Sequence, residues 1–340
     1  MSSLVVKVAL IEALQTHPNA DALELAIVLG WQVVVRKGEY RVGDRVVYFP
    51  PDTVLPEATA ERFGVSKYLS NGRIRAAKLR GIASFGLIVP PDDPAWPVGS
   101  DVAGHYGATK YHPPLRATAG DAAPDHPMFM GYTDMENLRN FPDILRPGEE
   151  VIVTEKLHGT CCRIGVIEGE WMAGSKALRR ARPDHDAQLA SHLYWMPYTL
   201  PGVRSLIESL SASHKQVTLY GEIIGSKVQS LHYGHKNTLG FRAFDLSVDG
   251  RYLDATDFAA LCATHGVDTV PTLAQEPFAI ERIRELSGGD TTLVQDQAHI
   301  REGVVVRPTR ERHDPRVGRV ILKYISDAYL FGKNSDYTDQ

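Results

Sequence analysis

The chain has 340 residues, 43% apolar and 23% charged, the make-up of a globular protein long enough for two domains of ordinary size. A formal net charge of −4 excludes a global positive field, so contact with a polyanion must come from local patches. Cys161, Cys162 and Cys262 provide neither a disulfide framework nor a Cys-x-x-Cys metal site, and no apolar run reaches the roughly 18 residues of a membrane span.

Residues 4–115 hold short strand candidates at close intervals: Leu4–Ile11, Leu23–Ala26, Trp31–Arg36, Arg45–Phe49, Ile74–Leu79 and Gly86–Val89. Gly30, Gly38, Gly43, Pro50 and Pro51 punctuate them, a rhythm that suggests a small β-barrel. Within it, Ser66–Gly81 carries Lys67, Arg73, Arg75, Lys78 and Arg80 around Tyr68, with no acidic residue. Such a segment either contacts phosphates or is an edge strand kept soluble by charge.

The Pro/Ala/Gly-rich stretch from His112 to Pro127 reads as a linker, giving a first domain over 1–115, a linker over 116–130 and a second domain over 131–340. Thr133-Asp-Met-Glu136 has capping-box spacing for a short helix reaching Phe141. The apolar, β-branched run from Glu150 predicts a strand that delivers Lys156 to a Gly-containing turn, Leu157-His158-Gly159. Beyond it, strands alternate with helices predicted at about 185–213, 255–265 and 276–287. Glu222 lies inside an apolar strand, Glu302 opens a valine run, and Lys323 is centred in Val320–Ile325. Charges inside apolar strands are costly unless they pair, bind metal or meet a ligand. His192, His214, His232 and His235 show no metal spacing.

Taken in order, Lys156-Leu-His-Gly159, Glu222, Phe244, Glu302 and Lys323 resemble the covalent nucleotidyltransferase superfamily of polynucleotide ligases and RNA-capping enzymes. Glu-Lys-x-His-Gly-Thr is closer to RNA ligases. The barrel in front resembles an oligonucleotide/oligosaccharide-binding (OB) fold, so the whole is similar to the Deinococcus-type nick-sealing RNA ligases. The resemblance implies an α+β chain: an OB-like barrel, then an adenylyltransferase domain (the ATP-grasp-like nucleotidyltransferase of ligases) with antiparallel sheets and flanking helices. It implies Lys156 as the catalytic lysine that attacks ATP and becomes lysyl-AMP. Glu155 and Phe244 are implied at the adenine, Glu222 at the ribose, and Lys176, Arg307 and Lys323 at phosphates or ribose. His158 and Gly159 complete the nucleotide motif. Glu222 and Glu302 are implied as acidic anchors for Mg²⁺ or Mn²⁺, acting through water. Lys67, Arg73, Arg75, Lys78 and Arg80 are the expected nucleic-acid contacts.

The chemistry suits the set, because ATP and a 5′-phosphate are polyanions whose charge must be neutralised as it shifts. Three positions depart from the pattern. His158 stands where many relatives have a carboxylate, Cys161 where some have asparagine or arginine, and Ile325 where many have a second lysine. The implied partners are ATP and a nicked duplex with an RNA 3′-hydroxyl end, with repair as the role. No membrane partner, a monomer and a cytoplasmic location are expected. Two alternatives remain at this stage: a capping-type guanylyltransferase, or a non-catalytic nucleic-acid binding protein on the same scaffold.

Overall fold

A computed structural model describes residues 4–112, 121–295 and 299–331. Contacts group the chain into two units. In the first, Lys7–Leu10, Arg45–Phe49 and Leu87–Val89 form one antiparallel sheet, and Ala13–Thr16, Leu23–Val28 and Trp31–Arg36 form another. Alternation decides which side chains enter the core: Trp31, Val33 and Val35 are buried while their neighbours are not. Leu29 and Gly30 both have positive φ, 52° and 72°, which matches a two-residue hairpin turn to strand twist. Val6, Val8, Val47, Phe49 and Ile74 form the centre of the unit. The strand Ala13–Thr16 and the helix Glu57–Arg62 were not legible from apolar periodicity, both being short.

The second unit is built on two sheets. The six-stranded sheet is fully antiparallel, in the order Arg179–Arg180, Glu170–Ser175, Thr160–Ile167, Gln216–Ile224, Gly240–Val248, Arg251–Tyr252. The helix Pro201–Ser211 covers one face with Val203, Leu206 and Ile207, and Ala255–His265 adds Phe258 and Cys262. Gly266 ends that second helix with φ +68°, a conformation that glycine adopts without strain. The five-stranded sheet runs Glu136–Asn137, Leu322–Ile325, Gly303–Pro308, Glu150–Lys156, Thr272–Pro277.

Several expectations are corrected here. No helix forms over 133–141; Glu136–Asn137 instead pairs in parallel with Leu322 and Lys323. Joining a buried sheet satisfies more backbone than one capping box. The stretch 185–213 is divided into two 3₁₀ turns and one α-helix, with Pro197 and Pro201 at the starts of the later pieces. The third helix is shorter, Ile280–Ser287, because Thr272–Pro277 is a strand against Glu150–Thr154. The sequence reading drew one continuous domain over 131–340, whereas Arg139–Phe141 and Asp327–Phe331 group with residues 4–112. Trp31 Nε1 donates to Asn140 Oδ1 at 3.0 Å, and Arg139 donates to the Gly30 carbonyl at 2.9 Å. Of the expected linker, 116–120 lie outside the described residues, and Ala123 N–H bonds the Arg179 carbonyl.

Candidate active site

Lys156 ends a strand of the five-stranded sheet, and Thr160 begins a strand of the six-stranded one. Leu157-His158-Gly159 is therefore the turn that joins the two sheets. A Cβ on Gly159 would lie 2.2 Å from the Ile223 carbonyl and 3.0 Å from Glu222 Cγ, so only glycine fits there. The His158 N–H donates to the Tyr233 hydroxyl at 2.8 Å, which holds the turn from its other side.

Register explains which side chains meet. Lys156 pairs with Gly303, Thr154 with Val305, and Val305 with Lys323, so Lys156, Thr154, Val305 and Lys323 share one face of the sheet. Glu302, one residue before Gly303, reaches the lysine: Lys156 Nζ donates to Glu302 Oε1 at 2.8 Å, and His158 Nδ1 lies 3.7 Å from Oε2. Burial opposes ionisation of Glu302, but Lys156 and His158 outweigh it and hold its carboxyl below the usual carboxylate range. Glu222, opposite Cys161 in the other sheet, goes the other way. Burial pushes its carboxyl up to about 8, with Glu302 adding to the effect and Lys156 opposing it. The carboxyls of two residues near one lysine thus shift in opposite directions.

A cleft opens between the sheets. Ile152, Thr154, Lys156 and Val305 line one wall, and Glu222 and Phe244 the other. Phe244 owes its position to a bulge. Ala243 pairs with Gly221 and Asp245 with Tyr220, which leaves Phe244 as the extra residue in its strand. Its ring packs edge-on against Tyr132, with centroids 4.8 Å apart.

Below the cleft is a buried charge network that the motifs did not reveal. Asp245 Oδ1 accepts from Arg307 Nη1 at 3.0 Å, while Oδ2 accepts from the Tyr132 hydroxyl at 2.8 Å and lies 2.7 Å from Arg319 Nη1. Glu311 accepts from Arg319 at 2.6 and 2.7 Å and from Arg307 at 3.4 Å. Burial would raise the Asp245 carboxyl, but the two guanidinium groups hold it below its ordinary value. Asp245 in the apolar Phe241–Leu246 run was the signal that could have found this network.

Not every predicted residue joins the lysine. Arg307 pairs with Ile152, four residues along the strand from the Lys156–Gly303 row, a separation of roughly 13 Å. Its guanidinium pairs with Asp245 and Glu311, and the residue also lines the cleft. The Glu155 carboxylate is fully buried and accepts from Thr292 N–H and Oγ1, both at 3.0 Å, on the opposite face from Lys156. Lys176, half-exposed after the Glu170–Ser175 strand, forms an ion pair with Asp134. Lys323 is 4% exposed on the cleft-facing side of its strand. Burial pushes the Cys161 thiol up to about 12, in keeping with a packing role.

A metal also finds a fitting donor. Glu302 Oε2 is buried without a hydrogen-bond partner. Among the described residues, no cluster of three or more His, Cys, Asp or Glu side chains is arranged to hold an ion. That donor set suits a cation that keeps water and takes other ligands from phosphates.

In the first unit, Lys67, Arg75, Lys78 and Arg80 are exposed: Lys67 on a 3₁₀ turn at Ser66–Tyr68, Arg75 in the irregular stretch that follows, and Lys78 and Arg80 along the Ala77–Leu79/Ile82–Ser84 hairpin. Arg73 is a correction. It is 7% exposed, bonds Asp52 Oδ1 from Nε at 2.7 Å and stacks on Tyr111 at 3.7 Å.

Comparison with known proteins accords with both units. An OB-fold domain matches residues 5–91, and the RNA ligase family matches residues 149–325. No curated protein matches the chain. A lysine variant of Naegleria gruberi RNA ligase with ATP and Mn is 25% identical, with 96% of this chain and 98% of that chain covered and a TM-score of 0.72. Another lysine variant, with AMP and Mn, is 25% identical over 97% and 99% of the two chains, with a TM-score of 0.73. A structure of Naegleria gruberi RNA ligase R4a without ligand is 26% identical over 96% and 97%, with a TM-score of 0.72. With its family model spanning over half of the sequence, from 149 to 325, the chain belongs to the RNA ligase family.

Proposed function

We propose that the protein is an ATP-dependent RNA ligase that seals 3′-hydroxyl/5′-phosphate nicks, with Lys156 as the residue that carries AMP. The observation that carries this reading is the Lys156–Glu302 ion pair at the mouth of a cleft walled by Phe244 and Glu222. Solved relatives named with ATP, with AMP and with pyrophosphate support it, since these are the substrate and the two products of such a transfer.

The cleft accepts the base between the Phe244 ring and Ile152 and Val305, leaving the phosphates toward Lys156. Lys156 Nζ attacks the α-phosphorus; the Nζ–P bond forms as the bond to pyrophosphate breaks, and Nζ loses its protons. Mg²⁺ or Mn²⁺ supplies positive charge to the phosphates when bound, and Glu302 with Glu222 are the residues that would hold it. Lys323 lies on the same face and adds a positive charge along the phosphate path. Because Lys156 donates to Glu302, a ligand that takes over Glu302 frees the amine. AMP then passes to a 5′-phosphate, and a 3′-hydroxyl displaces it to close the strand. Exposed Lys67, Arg75, Lys78 and Arg80 support nucleic-acid contact by the OB-fold unit.

Two assays test the reading. Protein incubated with α-³²P-ATP or α-³²P-GTP and a divalent cation should form an acid-stable adduct with ATP. Exclusive labelling by GTP would instead support capping chemistry. Duplexes nicked between an RNA 3′-hydroxyl and a 5′-phosphate should be sealed, and sealing of loose single-stranded ends alone would contradict the nick preference.

A further inference from the structure

Among the described residues, six large hydrophobic side chains are exposed, and two of them, Tyr68 at 74% and Leu79 at 42%, lie within Ser66–Gly81. The other four are aliphatic and lie outside it, so Tyr68 is the one aromatic ring in this exposed set. A single exposed apolar residue needs no explanation, but this ring stands among cations with no carboxylate in the segment. Lys67 Nζ is 5.0 Å from its centroid, and Lys78 and Arg80 are exposed on the hairpin beyond.

The turn that carries the ring is also held in place. Tyr68 N–H bonds the Val65 carbonyl at 2.8 Å, and Leu69 N–H bonds the Ser66 carbonyl at 3.2 Å. Val65 and Leu69 both pack on the core of the unit, so Tyr68 projects from a turn anchored on either side. Arg80 and Gly81, with φ of 50° and 85°, close the hairpin that follows in the chain in two residues. Asn19 Nδ2 bonds the Arg80 carbonyl at 3.0 Å, which fixes the hairpin tip. An exposed aromatic face beside Lys67 suits a ligand that is both anionic and flat.

We propose that Tyr68 is a stacking platform for an unpaired nucleobase of the RNA substrate, with Lys67 on an adjacent phosphate. The proposal rests on the reading of the OB-fold unit as a nucleic-acid contact. It deepens that reading, because bases inside a duplex already have both faces stacked and leave the ring nothing to cover. The substrate that uses this surface fully therefore carries an unpaired nucleotide.

Binding of a fluorescent single-stranded RNA of about 12 nucleotides, and of the blunt RNA duplex of equal length, tests this with the full-length protein. Tyr68→Ala should weaken single-strand binding roughly 5- to 150-fold, the range for loss of one stacked base, and leave the salt dependence intact. Tyr68→Phe should restore it, and duplex binding should hardly move in either variant. An unchanged thermal midpoint for Tyr68→Ala would show that the fold is intact. Equal weakening of both ligands, no weakening of either, or failure of phenylalanine to rescue would overturn the proposal. Lys78→Ala/Arg80→Ala should weaken both ligands and lower the salt slope by about 2. If that double variant bound as the parent does, the nucleic-acid reading of the unit would itself fail, whatever Tyr68 did.

Discussion

Asp245→Asn is the most searching perturbation of the cleft, because it changes one charge and almost no volume. Two guanidinium groups, Arg307 and Arg319, now face two carboxylates, Asp245 and Glu311, all buried or nearly so. Asparagine leaves this cluster with one uncompensated positive charge and places an amide donor against guanidinium donors. Breaking a buried pair from one side costs about 3–5 kcal/mol, so the catalytic unit should lose roughly that much in urea unfolding. Arg307→Gln added to it restores neutrality, leaving Arg319 with Glu311, and the double variant should be more stable than the sum of the single losses requires.

The same change should raise KM for ATP more than it lowers kcat. Asp245 follows the bulged Phe244 and ties that strand to Gly303–Pro308, on the opposite wall of the cleft. The pH dependence has a fixed sign. The folded-state carboxyl sits below its ordinary 3.8, so the stability it contributes is fully present above that value. It is lost as pH falls through the lower folded-state value, and the gap between parent and Asn variant should close there. A loss under about 1 kcal/mol, or strict additivity in the double variant, would refute this account of the network.

Lys156→Ala should abolish the labelled adduct in the α-³²P-ATP assay while RNA binding, measured by fluorescence anisotropy, persists; equal loss of both would contradict the assigned role. Gly159→Ala must push a Cβ into the Ile223 carbonyl 2.2 Å away, and adenylation rates should fall about 100-fold from the displaced turn. Arg73→Ala should lower the stability of the OB-fold unit by about 3 kcal/mol in chemical unfolding, since it strands Asp52 in the interior. Lys78→Ala should spare stability and reduce the salt slope of RNA binding by about 1, and the reverse pattern for this pair would undo the correction made for Arg73.

Much of the catalytic half was legible because its strands carry their own signals. The strand read over Glu150–Thr154 runs two residues further, to Lys156, and charges at 222, 302 and 323 stood out against apolar neighbours. The strands Trp31–Arg36 and Arg45–Phe49 were read as they occur. The segment 133–141 was misread, since a local capping box says nothing about a sheet edge supplied by residues far along the chain. The ion pairs of Arg73 and Arg307 were not legible for a related reason: a side chain's partner is absent from its own segment. Asp52 lies 21 residues from Arg73, and Asp245 lies 62 from Arg307.

Sequence alone determined the lysine, its glycine turn and the order of strands that follow, since each is a short-range pattern of polarity and backbone freedom. Tertiary structure decided which charges are available to a ligand. Pairing across two sheets placed Lys156 against Glu302, paired Arg307 with Asp245 and turned Glu155 to the opposite face. It also left the Tyr68 ring exposed beside Lys67. The difference is physical: hydrophobic period is written along the chain, whereas the partner that neutralises a buried charge is chosen only when distant strands come into register.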